Sequence, residues 1–250
     1  MIRVSKIQIP ALPTEKDRRL YVYLPKDYDR TDARFPVLYM FDGHNVFYDS
    51  HATYGKSWGM KEYLDRTKLP LILVAVECNP EGWRRLFEYS PWDFRAPQPI
   101  GAVEGLGRVT MDWFTTVLKP EIDRTYRTLP DREHTLIAGS SMGGLMAIYA
   151  VTAYNAVFSR AAALSPSLWV SPSKLKELIR TAPIAPGTRV YLDKGTEEID
   201  KKRLARAGMF ETAKALNKAG ADVAADVIPG AKHCEADWEK RIPAFMRYLF

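Results

Sequence analysis

Five residues, Gly139-Ser140-Ser141-Met142-Gly143, lie between an apolar run, Thr135-Leu136-Ile137-Ala138, and a longer one that begins Gly144-Leu145-Met146-Ala147-Ile148-Tyr149-Ala150. Strand, sharp turn and helix are the order this predicts. A G-x-S-x-G in that setting lifts a serine hydroxyl above the C-terminal edge of a sheet and starts a helix beneath it. Such a hydroxyl can attack an acyl carbon once a base takes its proton. Gly139 and Gly143 are needed because strand and helix cross too closely there for side chains. Only Ser141 has a glycine two residues away on each side, so Ser140 is a filler. A glycine-rich turn matched by chance is the bland alternative, and the strand before and helix after argue against it.

Four histidines compete for the role of base. His134 opens the strand that leads to the elbow, at the wrong end of the sheet. His51 falls in a polar loop after the third strand and is expected to be exposed, and His44 follows that same strand where backbone donors for an oxyanion are expected. His233, in Pro229-Gly230-Ala231-Lys232-His233, lies just past the last strand. That is where the α/β-hydrolase order of serine, acid and histidine puts the base. A solvent-facing loop histidine is the alternative reading of His233. The acid that orients the base belongs after the seventh strand, in Asp193-Lys194-Gly195-Thr196-Glu197-Glu198-Ile199-Asp200. Asp193 reads as strand and Asp200 as a helix cap, which leaves Glu197 and Glu198, and spacing alone does not separate them. Two main-chain N–H groups complete the chemistry, one from Met142 and one from the loop Asp42-Gly43-His44-Asn45, with His44 preferred over Gly43 and Asn45. A metal reading of His233-x-Glu235 is weak, since no other His, Cys or acid group has zinc-like spacing. No metal and no cofactor are expected.

These residues need a sheet to hold them. Eight β-like runs, near residues 2–9, 18–24, 36–41, 71–77, 134–138, 160–165, 189–193 and 223–228, alternate with helix-like stretches near 57–68, 111–127, 143–154, 172–181, 201–218 and 236–249. The first two runs alternate as antiparallel edge strands do, whereas later ones such as Val37-Leu38-Tyr39-Met40-Phe41 are continuously apolar, as central parallel strands are. The pattern predicts an α/β fold of the α/β-hydrolase type, a mostly parallel eight-stranded sheet flanked by helices on both faces, in a single domain over residues 1–250. Pro120 is expected to kink or divide the second helix. Residues 78–110, rich in aromatics, prolines and glycines, form a long connection at the sheet edge where Ser141 emerges, and read as a pocket wall or partial lid.

Composition sets the remaining bounds. Hydrophobic residues make up 46% and aromatic residues 12% of the 250, enough for a sizeable core. The net charge of +6 is dispersed in short groups such as Arg84-Arg85 and Lys201-Lys202-Arg203, with no basic stripe interleaved with aromatics, so nucleic acid is not an expected partner. The N-terminal stretch alternates and lacks the apolar core of a secretory signal. No segment approaches the ~20 apolar residues of a membrane span, and a cytoplasmic protein is expected. Cys78 and Cys234 are read as reduced thiols.

From Arg18 to Leu249 the chain resembles the esterase family that includes esterase D, feruloyl esterases and the siderophore esterases related to enterochelin esterase. The resemblance is carried by Phe41-Asp42-Gly43-His44-Asn45-Val46-Phe47, Arg85-x-x-Glu88-Tyr89-Ser90-Pro91, Gly139-Ser140-Ser141-Met142-Gly143-Gly144, Ser165-Pro166-Ser167-Leu168-Trp169, Asp193-x-Gly195-Thr196-x-Glu198 and His233-x-Glu235-x-x-Trp238. It implies Ser141 as nucleophile, His233 as base and Glu198, two residues after the Gly-Thr pair, as acid. It also implies substrate contacts for Arg85 and Trp169. His44 departs from the family, where glutamine is commoner. The implied activity is hydrolysis of a small-molecule carboxylic ester (an acylated sugar, an aromatic-acid ester or a siderophore-type ester) through an acyl-enzyme. An acyltransferase and a non-catalytic binding protein on the same scaffold are the alternatives. Members act on very different esters, so the family constrains the reaction more than the substrate.

Overall fold

The computed structural model describes residues 1–12, 16–198 and 203–250, with the side chains of 203–207 left out. Ten strands are found among the described residues: β1 (Ile2–Ile7), β2 (Arg18–Tyr23), β3 (Val37–Met40), β4 (Ile72–Val76), β5 (Phe94–Arg95), β6 (Ala102–Val103), β7 (Thr135–Ser140), β8 (Arg160–Leu164), β9 (Arg189–Gly195) and β10 (Asp222–Ile228). Eight of them make one sheet in the order β1-β2-β4-β3-β7-β8-β9-β10, and β5 and β6 pair as a separate ribbon. The β1–β2 and β2–β4 pairings are antiparallel, and every pairing from β4 through β10 is parallel.

This order puts the switch point between β3 and β7, because the chain leaves β3 toward β4 and later returns on the other side. Crevices outside the C-terminal ends of strands at such a point are where open α/β sheets bind ligands. In register, Met40 lies beside Ala138 and Leu164 beside both Ser140 and Asp193. Side chains just beyond β3, β7, β8, β9 and β10 therefore emerge along one edge.

Alternation along the buried strands feeds two cores. Val37, Tyr39, Ile72, Val74 and Ile137 face one way, onto Met111, Leu145, Ile148, Leu175, Met209 and Leu216. Leu38, Met40, Leu71, Leu73 and Leu136 face the other way, onto Met60, Leu64, Trp238, Phe245 and Met246. The first layer comprises helices α3 (Gly107–Trp113), α4 (Lys119–Thr125), α5 (Met142–Ala153), α6 (Pro172–Thr181) and α7 (Arg203–Lys218). The second comprises α1 (Met60–Thr67), α8 (Glu235–Glu239) and α9 (Ile242–Leu249). α5 is buried along nearly its whole length. A helix apolar on every side suits such a central place. Among the described residues no helix is long and apolar enough to cross a membrane.

Three elements differ from expectation. Residues 78–110 contain α2 (Arg84–Glu88), the β5–β6 ribbon and the start of α3. These pieces are too short to leave a periodic signal and exist because they pack on the sheet. The helix expected over 111–127 begins at Gly107 and contains a π-helical stretch, Phe114–Leu118, directly before Pro120, with the Lys119 N–H reaching back to Phe114 O. Pro120 has no N–H and its ring would crowd a carbonyl four residues back, and the wider turn relieves both problems. The helix expected over 236–249 is two helices, with Pro243 in the first turn of α9. Asp200 lies outside the described residues.

Candidate active site

Ser141 sits between β7 and α5 with φ 57° and ψ −119°. L-residues avoid that region unless the surroundings impose it. Here a Cβ on Gly139 would lie 2.6 Å from the Gly143 carbonyl carbon, and one on Gly143 would press on Phe41 at 3.0 Å. Helix and strand are thus clamped together, and the serine absorbs the bend. The Ser141 N–H donates to Leu164 O and its carbonyl accepts from Ser167 N–H, each at 2.9 Å. Among the described residues its hydroxyl has Ser167 Oγ as hydrogen-bond neighbour, at 3.4 Å, and no hydrogen bond joins it to His233.

Ser141, Glu198 and His233 line one cavity of about 940 Å³. The loop after β10 delivers His233, whose Nδ1 lies 3.1 Å from Glu198 Oε2. Trp238 supports the imidazole edge-on, ring centres 5.0 Å apart. Glu198 is 3% exposed, and its Oε1 accepts from the Gly195 N–H at 2.6 Å and the Ser165 hydroxyl at 2.5 Å. Burial alone would raise its pKa, but the hydrogen bonds from His233, Ser165 and Gly195 outweigh burial and hold the carboxyl below its ordinary range. Glu197 is exposed, and its backbone N–H bonds to Ala231 O at 3.0 Å. The structure thus pairs Glu198, not its neighbour, with the imidazole.

Met142 opens α5, where helix geometry leaves backbone N–H groups without intrahelical acceptors. The facing loop turns through a 3-10 helix, Gly43–Asn45, and the Asn45 N–H is already committed to Asp42 O at 2.8 Å. A Cβ on Gly43 would meet the Ala75 carbonyl at 2.7 Å, so the loop rests directly on β4. His44 lines the cavity and its Nε2 contacts Thr53 Oγ1 at 3.0 Å. Burial, acting against the pull of Asp42, lowers its pKa and so favours the neutral ring. His51 also lines the cavity, half-buried, with Nδ1 3.0 Å from Tyr21 OH. His134 pairs with Asp131 outside it.

Arg85 lines the cavity and holds Asp42 through two bonds, Nε to Oδ1 at 2.6 Å and Nη2 to Oδ2 at 2.7 Å. Burial opposes ionisation of Asp42, but the Arg85 charge and hydrogen bonds overcome it and leave the pKa below its ordinary value. Trp169 is 53% exposed at the cavity mouth, packed edge-on against Phe94, and Trp83 and Tyr54 stand there too, also well exposed. From residues 78–110 the cavity takes Cys78, Asn79, Pro80, Gly82, Trp83, Arg85 and Leu86, while Trp92 packs on Tyr149.

Sequence reasoning missed one grouping. Asp42, His44 and Cys78 bring ligand-capable atoms within 4.8 Å of one another. They fit a divalent ion poorly: Arg85 occupies both Asp42 oxygens, and burial pushes the Cys78 thiol well above its ordinary pKa, away from the thiolate a metal needs. Ser167, beside the Ser141 hydroxyl, and Ser165, behind Glu198, fall in the Ser-Pro-Ser-Leu-Trp segment, of which the sequence gives a role to Trp169 alone. Arg241, which reaches Ser165 from α8's C-terminal side, had no sequence signal at all.

Comparison with known proteins agrees with this architecture. The family model Esterase, described as "Putative esterase", matches residues 12–249. The chain is 26% identical over 205 residues to the uncharacterized protein YbbA of Bacillus subtilis (strain 168), covering 81% of this chain and 77% of that one. Among solved structures it resembles an IroE-like serine hydrolase from Shewanella oneidensis, with TM-score 0.80 and 19% identity over 100% of this chain and 79% of the other. It also resembles the siderophore hydrolase EstA from Aspergillus nidulans, with TM-score 0.73 and 16% identity over 99% and 94% of the two chains. At these identities the structural likeness shows the α/β-hydrolase fold.

Proposed function

The chain belongs to the Esterase family and is a carboxylic ester hydrolase, and from that premise we propose that it is a serine esterase working through an acyl-enzyme, with Ser141, His233 and Glu198 as its triad. Ser141 attacks the ester carbonyl while His233 takes its proton. The imidazolium then protonates the leaving alkoxide, and Glu198 fixes the ring's tautomer and stabilises its charge. The N–H groups of Met142 and His44 receive the oxyanion. Water enters by the same route and releases the acid.

The observation that carries this reading is the Glu198–His233 contact of 3.1 Å, made between loops after adjacent strands and opening on the same cavity as the strained serine. A resting hydroxyl turned toward Ser167 is compatible with it, because hydrogen bonds to a nucleophile are often long without substrate and tighten when it binds. The exposed Tyr54, Trp83 and Trp169 at the mouth support an ester bearing rings, whether aromatic acid, sugar or catechol, and the segment 78–110 would act as the wall that holds them. Arg85 and Trp169 would touch that substrate.

The test is a panel of acetylated sugars, feruloyl esters, short-chain p-nitrophenyl esters and a catecholate trilactone, with a sugar alcohol added in parallel to detect acyl transfer. Glu198→Gln is expected to lower kcat about ten-thousandfold, and Glu197→Gln to leave it within about twofold. Damage from the second substitution and not the first would reassign the acid. A transferred acyl group instead of a free acid would make the protein a transferase.

A further inference from the structure

Behind the carboxylate lies a buried ion pair that the reaction does not touch, and we infer that Asp193, Arg241 and Ser165 form a positioning unit that sets the direction and charge balance of Glu198, and through it the proton affinity of His233. The inference rests on the reading of Glu198 as the orienting acid.

Ser165 follows β8 at φ 47° and is 2% exposed. Its oxygen accepts from Trp238 Nε1 and from Arg241 Nη1, each at 3.0 Å. With both lone pairs taken, the hydroxyl proton has one use left, and it points at Glu198 Oε1, 2.5 Å away. The Gly195 N–H fills the same oxygen. Oε2 is thereby reserved for His233, so the carboxylate has one oxygen anchored and one working.

Arg241 is 3% exposed, and its Nη1 also binds Asp193 Oδ1 at 2.8 Å. Its Nη2 donates to Lys232 O at 3.2 Å, the residue before the base, and the guanidinium lies 3.9 Å from Glu198 Oε1. One side chain thus grips the loops of both acid and base. Asp193 is 0% exposed and accepts in addition from Ser165 N–H and Tyr191 OH, each at 3.2 Å. Well-packed apolar residues stabilise a fold as well as a buried ion pair does, or better, because the pair must first lose its water. Packing alone therefore does not explain why this one stands against the acid.

The charges make the proposal testable. Asp193 is faced by Arg241, Tyr191 and, in register on β10, Asp226. Glu198 is faced by Arg241 and His233, and His233 has Glu235 as a further charged neighbour. Above about pH 6, where Asp193 is ionised, Asp193→Asn leaves the Arg241 charge unbalanced and in competition with the imidazolium for Glu198, which lowers the proton affinity of His233. In Arg241→Met the buried Asp193 takes up a proton and Glu198 loses its second cation, so the imidazolium is favoured.

The experiment is kcat/KM against pH on an activated ester for wild type and both variants, with Ser165→Ala, with Glu198→Gln as reference, and with thermal unfolding of each. The acid limb is expected to move down in Asp193→Asn and up in Arg241→Met, each by roughly half to one pH unit. Ser165→Ala, which keeps every charge, is expected to lower kcat about tenfold with little change in KM, the scale of losing a hydrogen bond to a charged group. A merely structural role would lower thermal stability without moving the limbs in opposite directions. Limbs that coincide with wild type in folded variants overturn the proposal, and so does an unchanged kcat in Ser165→Ala should the charge variants fail to fold. If the acid itself were misassigned, Glu198→Gln would keep wild-type activity, a different result from an inactive Glu198→Gln beside unmoved limbs.

Discussion

Gly195→Ala is expected to pull apart the loops that bring acid and base together without altering either side chain chemically. A Cβ at this position would lie 2.1 Å from Ala231 O and 2.7 Å from its carbonyl carbon. Contacts below 3.0 Å are essentially never made by Cβ atoms, so the two backbones must part by roughly 0.9 Å, against the steep wall of van der Waals repulsion. The neighbouring stitches, Thr196 N–H to Ile228 O and Glu197 N–H to Ala231 O, each at 3.0 Å, resist that movement. A displacement of this size takes the 3.1 Å His233–Glu198 contact to about 4 Å, beyond hydrogen-bond reach. A misplacement of about 1 Å can cost on the order of a hundredfold in rate. Hydrolysis of p-nitrophenyl acetate is therefore expected to fall about a hundredfold, with far-UV circular dichroism unchanged. Gly208→Ala in α7, where a Cβ meets nothing within 4 Å, is the control, and is expected to keep activity and gain about 1 kcal/mol of stability. A folded Gly195→Ala enzyme within twofold of wild type would refute the argument that this close approach holds the acid against the base.

Two further outcomes concern stability. Arg18 and Glu88 form a buried pair, bonded at 2.8 and 2.6 Å, that ties β2 to α2 beside the cavity wall; Arg18→Met leaves the carboxylate buried without its partner and is expected to cost about 3–5 kcal/mol in urea unfolding, whereas a loss below about 1 kcal/mol would mean that the pair is dispensable. Glu198 and Asp42 have folded pKa values below their ordinary 4.5 and 3.8, so their contribution is present above those values and lost as pH falls through the folded ones. Asp193, which burial pushes up to about 6, acts in the opposite sense: its contribution is present below 3.8 and lost as pH rises toward 6. His44, held below its ordinary 6.5 by burial, works in the same sense as Glu198 and Asp42 and begins to lose its contribution as pH falls below about 6.5, where the Asp193 contribution opposes it. Acid destabilisation is therefore expected to be shallow between about pH 6.5 and 4.5 and to steepen below about 4.5, and a urea midpoint that does not steepen below about pH 4.5 would contradict this assignment.

Much of the sheet was legible because its signal is local. Each of the eight β-like runs became a strand of the eight-stranded sheet, with ends shifted by at most two residues, and the β7–Ser141–α5 bend follows from two glycines whose necessity is steric. α2 and the β5–β6 ribbon were not legible, since five-residue and two-residue elements take their stability from what they rest on. The choice between Glu197 and Glu198 was open on spacing alone, because it depends on which side chain turns inward as the chain leaves β9. The unit behind Glu198 was hidden for a related reason. Ser165 meets Arg241 across 76 residues of sequence, and Asp193 meets Arg241 across 48, separations at which no periodic pattern survives. The trio Asp42, His44 and Cys78 likewise exists only once β3 and β4 lie side by side.

The central claim is that the hydroxyl of Ser141 is the nucleophile, and the most direct measurement is covalent capture with a fluorophosphonate followed by mass spectrometry of the labelled peptide. The account predicts one equivalent of label on Ser141, and none on the Ser141→Ala protein. Label on another residue, or full labelling of Ser141→Ala, would contradict it.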